Sequence, residues 1–473
     1  MSKFGIILML LIALVSGSYA QAPERSVLEL KGVYDIVFNF HPVAKQADIL
    51  SEQAKYSLRA VRGMFDPSIH SFADRKVFGG TEYFTIWQNE LRVPTWLGID
   101  LRAGYEMNQG PFLSRQLIVP GDGLFFAGVS VPIGQGMIID QRRAILRQAQ
   151  IFTRIAEAER LLVLNNLLLT VTTDYWEWMF QYNRFGFYQT GLEVATIRYN
   201  AVVERIRFGD LAAIDSVEAV IEVQQRRQFL DQARIDYQNS MLRLSNHLWG
   251  ENDAPLELTE NVIPQDGLPD TVPITLQQLE EMILQSQENH PLILNYQNKL
   301  SQMEIERRYK ANLLLPNLRI NLNALQQPVT FNSENISFEN YSNNYKIGGS
   351  LSFPLLLRRQ RNELKLANLY IQDTQLELQQ KSREISNKIR SVYNEMANYE
   401  NLMITQERIV SNYNILRDGE ETRFRNGESS LFLVNTRERQ LIESQVRFYE
   451  FRSKYSLSTT KLVWEAGSLA GDK

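Results

Sequence analysis

Leu314-Leu315-Pro316-Asn317-Leu318-Arg319-Ile320-Asn321-Leu322-Asn323-Ala324 is where the chain changes period. Before Pro316, apolar residues return at three- and four-residue steps: Leu276, Leu279, Ile283, Ile293, Tyr296, Leu300 and Ile305. That spacing predicts helix over 274–313, restarted at Pro291 because proline is tolerated only in a first turn. After Pro316, polar and apolar residues alternate without a miss, which predicts a strand with one wet and one apolar face. Residues 345–353 alternate again: Tyr, Ile, Gly, Leu and Phe on one side, Lys, Gly, Ser and Ser on the other. A soluble sandwich strand fits this pattern, and so does a membrane-barrel strand. The polar, Asn/Ser-rich stretch 328–343 between them suits an external loop.

The same order of parts occurs earlier in the chain. His41-Pro42 precedes Pro67 by the same spacing that separates His290-Pro291 from Pro316. Helical spacing is expected at Val27, Leu30 and Val33, then at Ile49, Ala54 and Leu58. Strands are expected over 97–105 and 125–131, matching 317–324 and 345–353. The span from Pro67 to Pro132 is longer than that from Pro316 to Pro354, and it holds Gly79-Gly80 with Tyr83, Phe84 and Trp87. An extra hairpin, a long bent strand and an enlarged loop all fit it. A duplicated unit with unlike parts in fixed order constrains architecture strongly.

After Pro132 and Pro354 a proline-free helical stretch runs on in each copy. Leu369, Leu376, Ile385, Ile389, Tyr393, Met396, Leu402, Ile409 and Tyr413 mark its seam in the second. Such length predicts a coiled coil of about 100 Å at 1.5 Å rise. Arg205-Ile206-Arg207-Phe208-Gly209 and Arg423-Phe424-Arg425-Asn426-Gly427 interrupt it and predict helical hairpins. The returning helices are ~55 Å and the short helices after each His-Pro ~33 Å, so the two are expected end to end along one long helix. The expected organisation is a signal peptide (1–20) and a first repeat (21–250), with strands within about 67–133 and a hairpin about 137–248. A linker (251–273), a second repeat (274–467; strands about 317–355, hairpin about 358–464) and a tail (468–473) follow.

Composition bounds the function. Lys3, an apolar run from Ile6 to Val15 and Ser18-Tyr19-Ala20 predict a signal peptide cleaved before Gln21, so the chain is expected to leave the cytoplasm. With 0 cysteines there is no disulfide, thiol nucleophile, zinc-thiolate site or lipidated cysteine. A net charge of -4 supplies no electrostatic footprint for nucleic acid. The four histidines, His41, His70, His247 and His290, form no ligand-spaced pair; His41 and His290 read as punctuation at helix breaks. Nothing resembles a phosphate loop, nucleophile elbow or metalloprotease motif, so neither catalysis nor a cofactor is expected. No segment past the leader offers eighteen clean apolar residues. Any membrane crossing is therefore expected as β-strands, and about four strands per chain cannot close a barrel. Oligomerisation is then required; a trimer supplies twelve strands, or more with an extra hairpin. Trp87, Trp96, Tyr105, Phe125, Tyr345 and Phe353 suit an aromatic girdle, with core packing as the alternative.

The duplicated parts, the run 314–320, the run Gly349-Ser350-Leu351-Ser352-Phe353-Pro354-Leu355 and the Arg-x-x-x-Gly turns at 205–209 and 423–427 carry a resemblance. Over essentially the whole mature chain, the sequence resembles the TolC-like outer-membrane efflux proteins of Gram-negative envelopes. The resemblance implies a mainly α fold with a membrane β-barrel segment: a homotrimer with a shared twelve-stranded barrel and an α-helical periplasmic tunnel. It implies a passive duct in efflux or type I secretion, in the outer membrane and its lipid. A periplasmic adaptor docks at the glycine turns, and an inner-membrane pump supplies substrate and energy. A structural or adhesive envelope protein with a coiled-coil spacer is the alternative.

At the tip the resemblance implies entrance residues. Gly209 and Gly427 make the turns, and Arg205 and Arg423 match the turn arginine as candidate latches to neighbouring carboxylates. Asp215 matches a family acid at the entrance. At the second turn Leu433 and Thr436 stand where well-known members have aspartates, leaving Asn435 and Glu438 as the nearest polar substitutes. Phe424 stands where the family often has tyrosine. Asp210, Asp215 and Glu218 share one side of the first tip helix, where a solvated helix start is the competing reading.

Overall fold

A computed structural model of the chain describes residues 26–266, 274–327 and 343–470. The expected signal peptide, the loop at 328–342, the linker prolines Pro269 and Pro273 and the tail end at 471–473 lie outside these. The order of elements is β1 (Ser26–Leu28), α1 (Leu30–Phe40), α2 (Pro42–Arg62), β2 (Ser68–Phe78), β3 (Thr81–Pro94), β4 (Asp100–Gln109) and β5 (Leu124–Gly134). Then come α3 (Gln141–Arg207), α4 (Ala213–Ser245), β6 (Val262–Pro264), α5 (Leu276–Asn289), α6 (Pro291–Asn312), β7 (Asn317–Gln326) and β8 (Tyr345–Ser352). The last elements are α7 (Arg358–Arg425) and α8 (Leu431–Glu465). The duplication is visible in α3 and α7, helices of 67 and 68 residues. No described helix is long and apolar enough to cross a membrane.

The His-Pro pairs are helix punctuation, and the structure shows how. Proline drives the residue before it out of the α region. His41 (φ -66, ψ 131) and His290 (φ -60, ψ 128) are both extended. Each imidazole Nδ1 then accepts the second helical amide, Val43 and Leu292, at 3.1 Å. The missing proline N–H costs nothing there, because first-turn amides have no intrahelical partner. One expectation is corrected at the start: Val27 is in β1, which pairs in parallel with β6, and the helix begins at Leu30. The backbone of 26–28 finds its hydrogen bonds in 262–264 rather than in a helical turn.

The chain divides into two compact units, each built from both copies of the repeat. The first comprises 26–46, 163–284 and 386–470. Its core holds Val33, Val37, Leu168, Val171, Tyr175, Trp178, Met179, Leu244 and Leu462. Val33 and Val37 are one helical turn apart on α1 and fully buried, worth about 1.5–3 kcal/mol each. Tyr175 donates to the Leu28 carbonyl at 2.9 Å, tying β1 to α3.

The second unit comprises 47–162 and 285–385 and contains a six-stranded antiparallel sheet in the order β2-β3-β4-β5-β7-β8. The long span after Pro67 is therefore an extra hairpin, β2 and β3, turning at Gly79-Gly80. β4 begins at Asp100 rather than 97, because 95–99 forms a tight turn with Gly98 N–H on the Thr95 carbonyl at 3.1 Å. Register sorts the side chains into two faces. Leu101, Ala103, Tyr105, Phe125, Ala127, Val129, Val131, Leu318, Ile320, Leu322, Ile347 and Leu351 share one. The other carries Arg92, Asp100, Arg102, Ser130, Arg319, Asn321 and Asn323. The polar face is the sheltered one: Asp100, Asn108, Ser130 and Asn323 are buried, while Leu101, Phe125, Leu322, Ile347 and Leu351 are exposed.

The helical seam is only partly as expected. Ile385, Ile389 and Met396 are buried, but Leu369 and Leu376 are 58% and 59% exposed. Among the described residues nothing covers their apolar faces.

Candidate functional site

The two hairpin turns are built alike and lie in the same unit. At the end of α3, Gly209 N–H bonds to the Ile206 carbonyl and Asp210 N–H to the Arg205 carbonyl, both at 3.0 Å. At the end of α7, Gly427 N–H bonds to Phe424 at 3.1 Å and Glu428 N–H to Arg423 at 2.8 Å. These are Schellman closures, which need a left-handed residue, and both glycines have φ of 80. The glycine meets a backbone requirement, whereas any residue's carbonyl could receive the closing amide, so this bond does not select the arginine. Its side chain is left for other work.

The helices that follow are capped differently, which accounts for the acid that differs between the copies. Before α4, position 212 is alanine, with no side-chain acceptor. Asp215 reaches back instead, accepting the Ala212 amide at 3.1 Å. Before α8, Ser430 stands at the corresponding place and accepts the Leu433 amide at 3.4 Å. Each start has one capping side chain, and the acid is carried where serine is missing. Asp215 therefore has a structural task, with its second carboxylate oxygen outside that bond.

The two turns meet through a small apolar cluster of Val202, Ala219 and Leu431, with Tyr199, Ile206, Leu211 and Phe424 against it. Arg205 lies over the Phe424 ring at 5.9 Å. Arg423 stays within its own turn, 3.8 Å from Glu420 and 3.4 Å from the Glu428 carbonyl. Ser429 also donates to Glu420. So the structure brings Arg205 and Phe424 together across the repeat, and it does not bring Arg423 to a carboxylate of another helix.

Three to four turns further along sits a buried ionic network that sequence reasoning missed in part. Glu438 Oε2 accepts from Arg198 at 2.6 Å and from Arg226 at 2.8 Å. Arg198 also donates to Asn435 at 2.9 Å. Arg226 donates in addition to Glu222 and to the Gly191 carbonyl, both at 2.8 Å. Glu438, Arg226 and Asn435 are buried. Burial pushes the Glu438 carboxyl up, but the charges and hydrogen bonds of Arg226 and Arg198 outweigh it and hold the group below the usual range. Glu438 and Asn435 thus join α8 to α3 and α4 inside this chain. Only the Glu222/Arg226 pair, four residues apart on one helix, was legible locally. Beside the network, burial and then the Asp215 and Glu222 charges push the Glu218 carboxyl up.

Tertiary folding also gathers histidines that lie far apart in the chain. His247 Nε2 is 2.7 Å from Asp174, and the His41 ring stacks on His247 at 5.9 Å. Among the described residues no three His, Asp or Glu side chains are grouped to hold a metal ion.

In the second unit, the aromatics fall into two sets. Trp87, Tyr105 and Phe125 touch in series on the apolar face, at 6.5 and 4.7 Å between rings. Tyr345 is on the same face, level with Ala324 and Ala127. Trp96 and Phe353 lie past the C-terminal ends of β3 and β8, at the other boundary of the sheet.

Long paired helices closed by glycine turns are joined in one chain to a sheet with an apolar exposed face, a fold shared with solved outer-membrane channels. Among solved structures it is similar to the Campylobacter jejuni CmeC outer membrane channel, with a TM-score of 0.63 and 15% identity over 96% of this chain and 91% of that one. The open-state Neisseria gonorrhoeae MtrE outer membrane channel matches with a TM-score of 0.64 and 13% identity over 94% and 93%. The outer membrane protein VceC from Vibrio cholerae matches at 0.62 and 12% over 93% and 96%. No protein-family model and no curated protein matches the chain by sequence.

Proposed function

We propose that this chain is a passive export duct of the outer membrane with a long periplasmic extension, acting as a homotrimer. The observation that carries this reading is the sheet: its exposed face is apolar, its sheltered face is polar, and both end strands, β2 and β8, have one unpaired edge. Water offers no reason for such a face, and lipid does not tolerate such edges, so closure with further copies satisfies both. Uncovered apolar residues on the helices, Leu369 and Leu376 in one unit and Ile221, Phe229 and Ile235 in the other, suit packing against the same neighbours. Three copies close one barrel: twelve strands if β4, β5, β7 and β8 alone form the wall, eighteen if the hairpin joins them.

The repeats are 21–250 and 274–467, joined by 251–273. The glycine turns are the periplasmic entrance and the docking place for an adaptor protein, with an inner-membrane pump as energy source. Opening is a shift between two packings of the hairpins, held closed by Arg205 on Phe424, with Asp215 as the entrance acid. Asn435 and Glu438 brace this packing across helices, and Arg423 stiffens its own turn. The likeness of fold to solved outer-membrane channels supports the reading. The decisive measurement is conductance of the purified oligomer in a planar bilayer. Discrete channel openings are expected, more frequent once the tip is loosened by Phe424→Ala. A stable trimer that stays silent in wild-type and tip-loosened forms rejects the duct and leaves a scaffold.

A further inference from the structure

The extra hairpin decides how many strands close the barrel. Outer-membrane barrels need every strand edge paired. β4 already has both edges in use: one against β5, and the other against β3 through a ladder from Thr85↔Gln109 to Pro94↔Asp100. β8 of a neighbouring copy can reach β4 only by displacing that ladder. Among the described residues, the unpaired edges of the sheet belong to β2 and β8.

The apolar belt reaches the hairpin at Ile69 and Leu91, while the next row toward the 110–123 connection reads Ser71, Asn89, Tyr105, Phe125, with Ser71 donating to Asn89 at 2.8 Å. One row across the sheet reads Ile69, Leu91, Ala103, Ala127, Ala324, Tyr345. The aromatics that bound the belt climb along this sheet. Tyr345 lies in that row, Tyr105 and Phe125 one row nearer the 110–123 connection, and Trp87 one row beyond them. At the opposite boundary Phe353 lies past the end of β8, and Trp96 past the end of β3. Strands that start progressively higher from β8 to β2 have the shear that closing a barrel requires. Along this slope β2 presents Ile69, Ser71 and Ala73 to the belt. Its first charge on that face is Arg75, one row past the Trp87 level, where Ala73 pairs with Trp87. On β3 the charges Glu90 and Arg92 are on the other face, with Arg102, which pairs with Glu90.

We infer that β2 and β3 are wall strands, that β2 of one copy pairs with β8 of the next, and that the trimer closes eighteen strands. This rests on the trimeric reading above. Barrel diameter grows roughly linearly with strand number, so the bore at the membrane is about one and a half times that of a twelve-stranded wall, in the range where an aqueous channel stays open.

The chain has 0 cysteines, so introduced thiols report alone. Ser71→Cys in β2 is combined in turn with a cysteine at each position of β8 from Tyr345 to Ser352. Directly opposed residues on neighbouring strands lie about 4.5–5.5 Å apart, within disulfide reach. On oxidation of the full chain in outer-membrane vesicles, covalent dimers and trimers are expected at β8 positions that alternate with period two. Ala103→Cys in β4, replacing Ser71→Cys, is expected to give only monomer. Linkage of β8 to Ala103→Cys and not to Ser71→Cys overturns the inference in favour of twelve strands. A trimer seen by amine cross-linking with neither thiol pair linked also overturns it. Monomer alone in the amine cross-linking instead removes the trimer itself.

Discussion

Arg226 and Glu438 lie 212 positions apart in sequence and 2.8 Å apart in space, both buried. The pair joins the return helix of the first repeat to that of the second. Arg198 shares the same carboxylate oxygen. Removing the acid leaves two guanidinium groups facing each other in a dry site. Glu438→Ala is expected to destabilise this unit by roughly 3–5 kcal/mol, the usual cost of stranding a buried charge. Glu438→Gln, which keeps an acceptor, is expected to lose less. Denaturant midpoints of both variants in detergent check this; equal midpoints for Glu438→Ala and wild type would reject it.

The caps separate structure from gating. Ser430→Ala removes the side-chain acceptor that caps the start of α8 and is expected to cost about 1 kcal/mol. Asp215→Asn keeps an oxygen for the Ala212 amide while removing the charge. It is expected to leave stability within about 0.5 kcal/mol and to reduce cation preference in a salt-gradient reversal potential. An unchanged reversal potential restricts Asp215 to capping.

At the turns, Phe424→Ala removes both the ring beneath Arg205 and part of the apolar cluster. The cation–π contact alone is worth about 0.5–1 kcal/mol. Arg423→Ala breaks contacts inside one turn only. Both substitutions are expected to raise single-channel open probability, Phe424→Ala more. The reverse order would place the latch on Arg423 and outside the contacts seen here.

Acid is expected to loosen the first unit through His41. Burial, then the neighbouring His247 charge, lowers the His41 imidazole from 6.5 to about 4. In the unfolded chain it takes a proton near 6.5, while the folded chain refuses it until about 4. Stability is therefore full above pH 6.5 and falls as pH drops toward 4, where the protonated Nδ1 also gives up the Val43 amide. His41→Asn, which can cap without titrating, is expected to flatten this slope in melting temperatures measured from pH 7 to 4. A slope unchanged in that variant would assign it elsewhere.

Much of the architecture was legible because its signals are local. Alternation after Pro316, His-Pro breaks and the turn glycines each state a backbone requirement within a few residues, and their recurrence orders the parts. The hairpin 68–94 was harder to read. β2 places Asp74, Arg75 and Lys76 in succession, so alternation fails near its end and only pairing with β3 reveals it. The candidate site was half legible. Gly209, Gly427 and Asp215 carry local chemistry, whereas Arg205 on Phe424 has no counterpart in spacing.

The amino-acid sequence by itself determined the duplicated helix–strand–helix plan, the two turns and the faces of β4, β5, β7 and β8, because periodicity, proline and glycine act over one or two turns of chain. Only the tertiary structure decided that Glu438 faces two arginines, that His41 meets His247, and that six strands rather than four stand side by side. Those facts depend on which distant segments share a dry interior or a ladder edge. That choice is made by packing the whole chain, and no short stretch of residues encodes it.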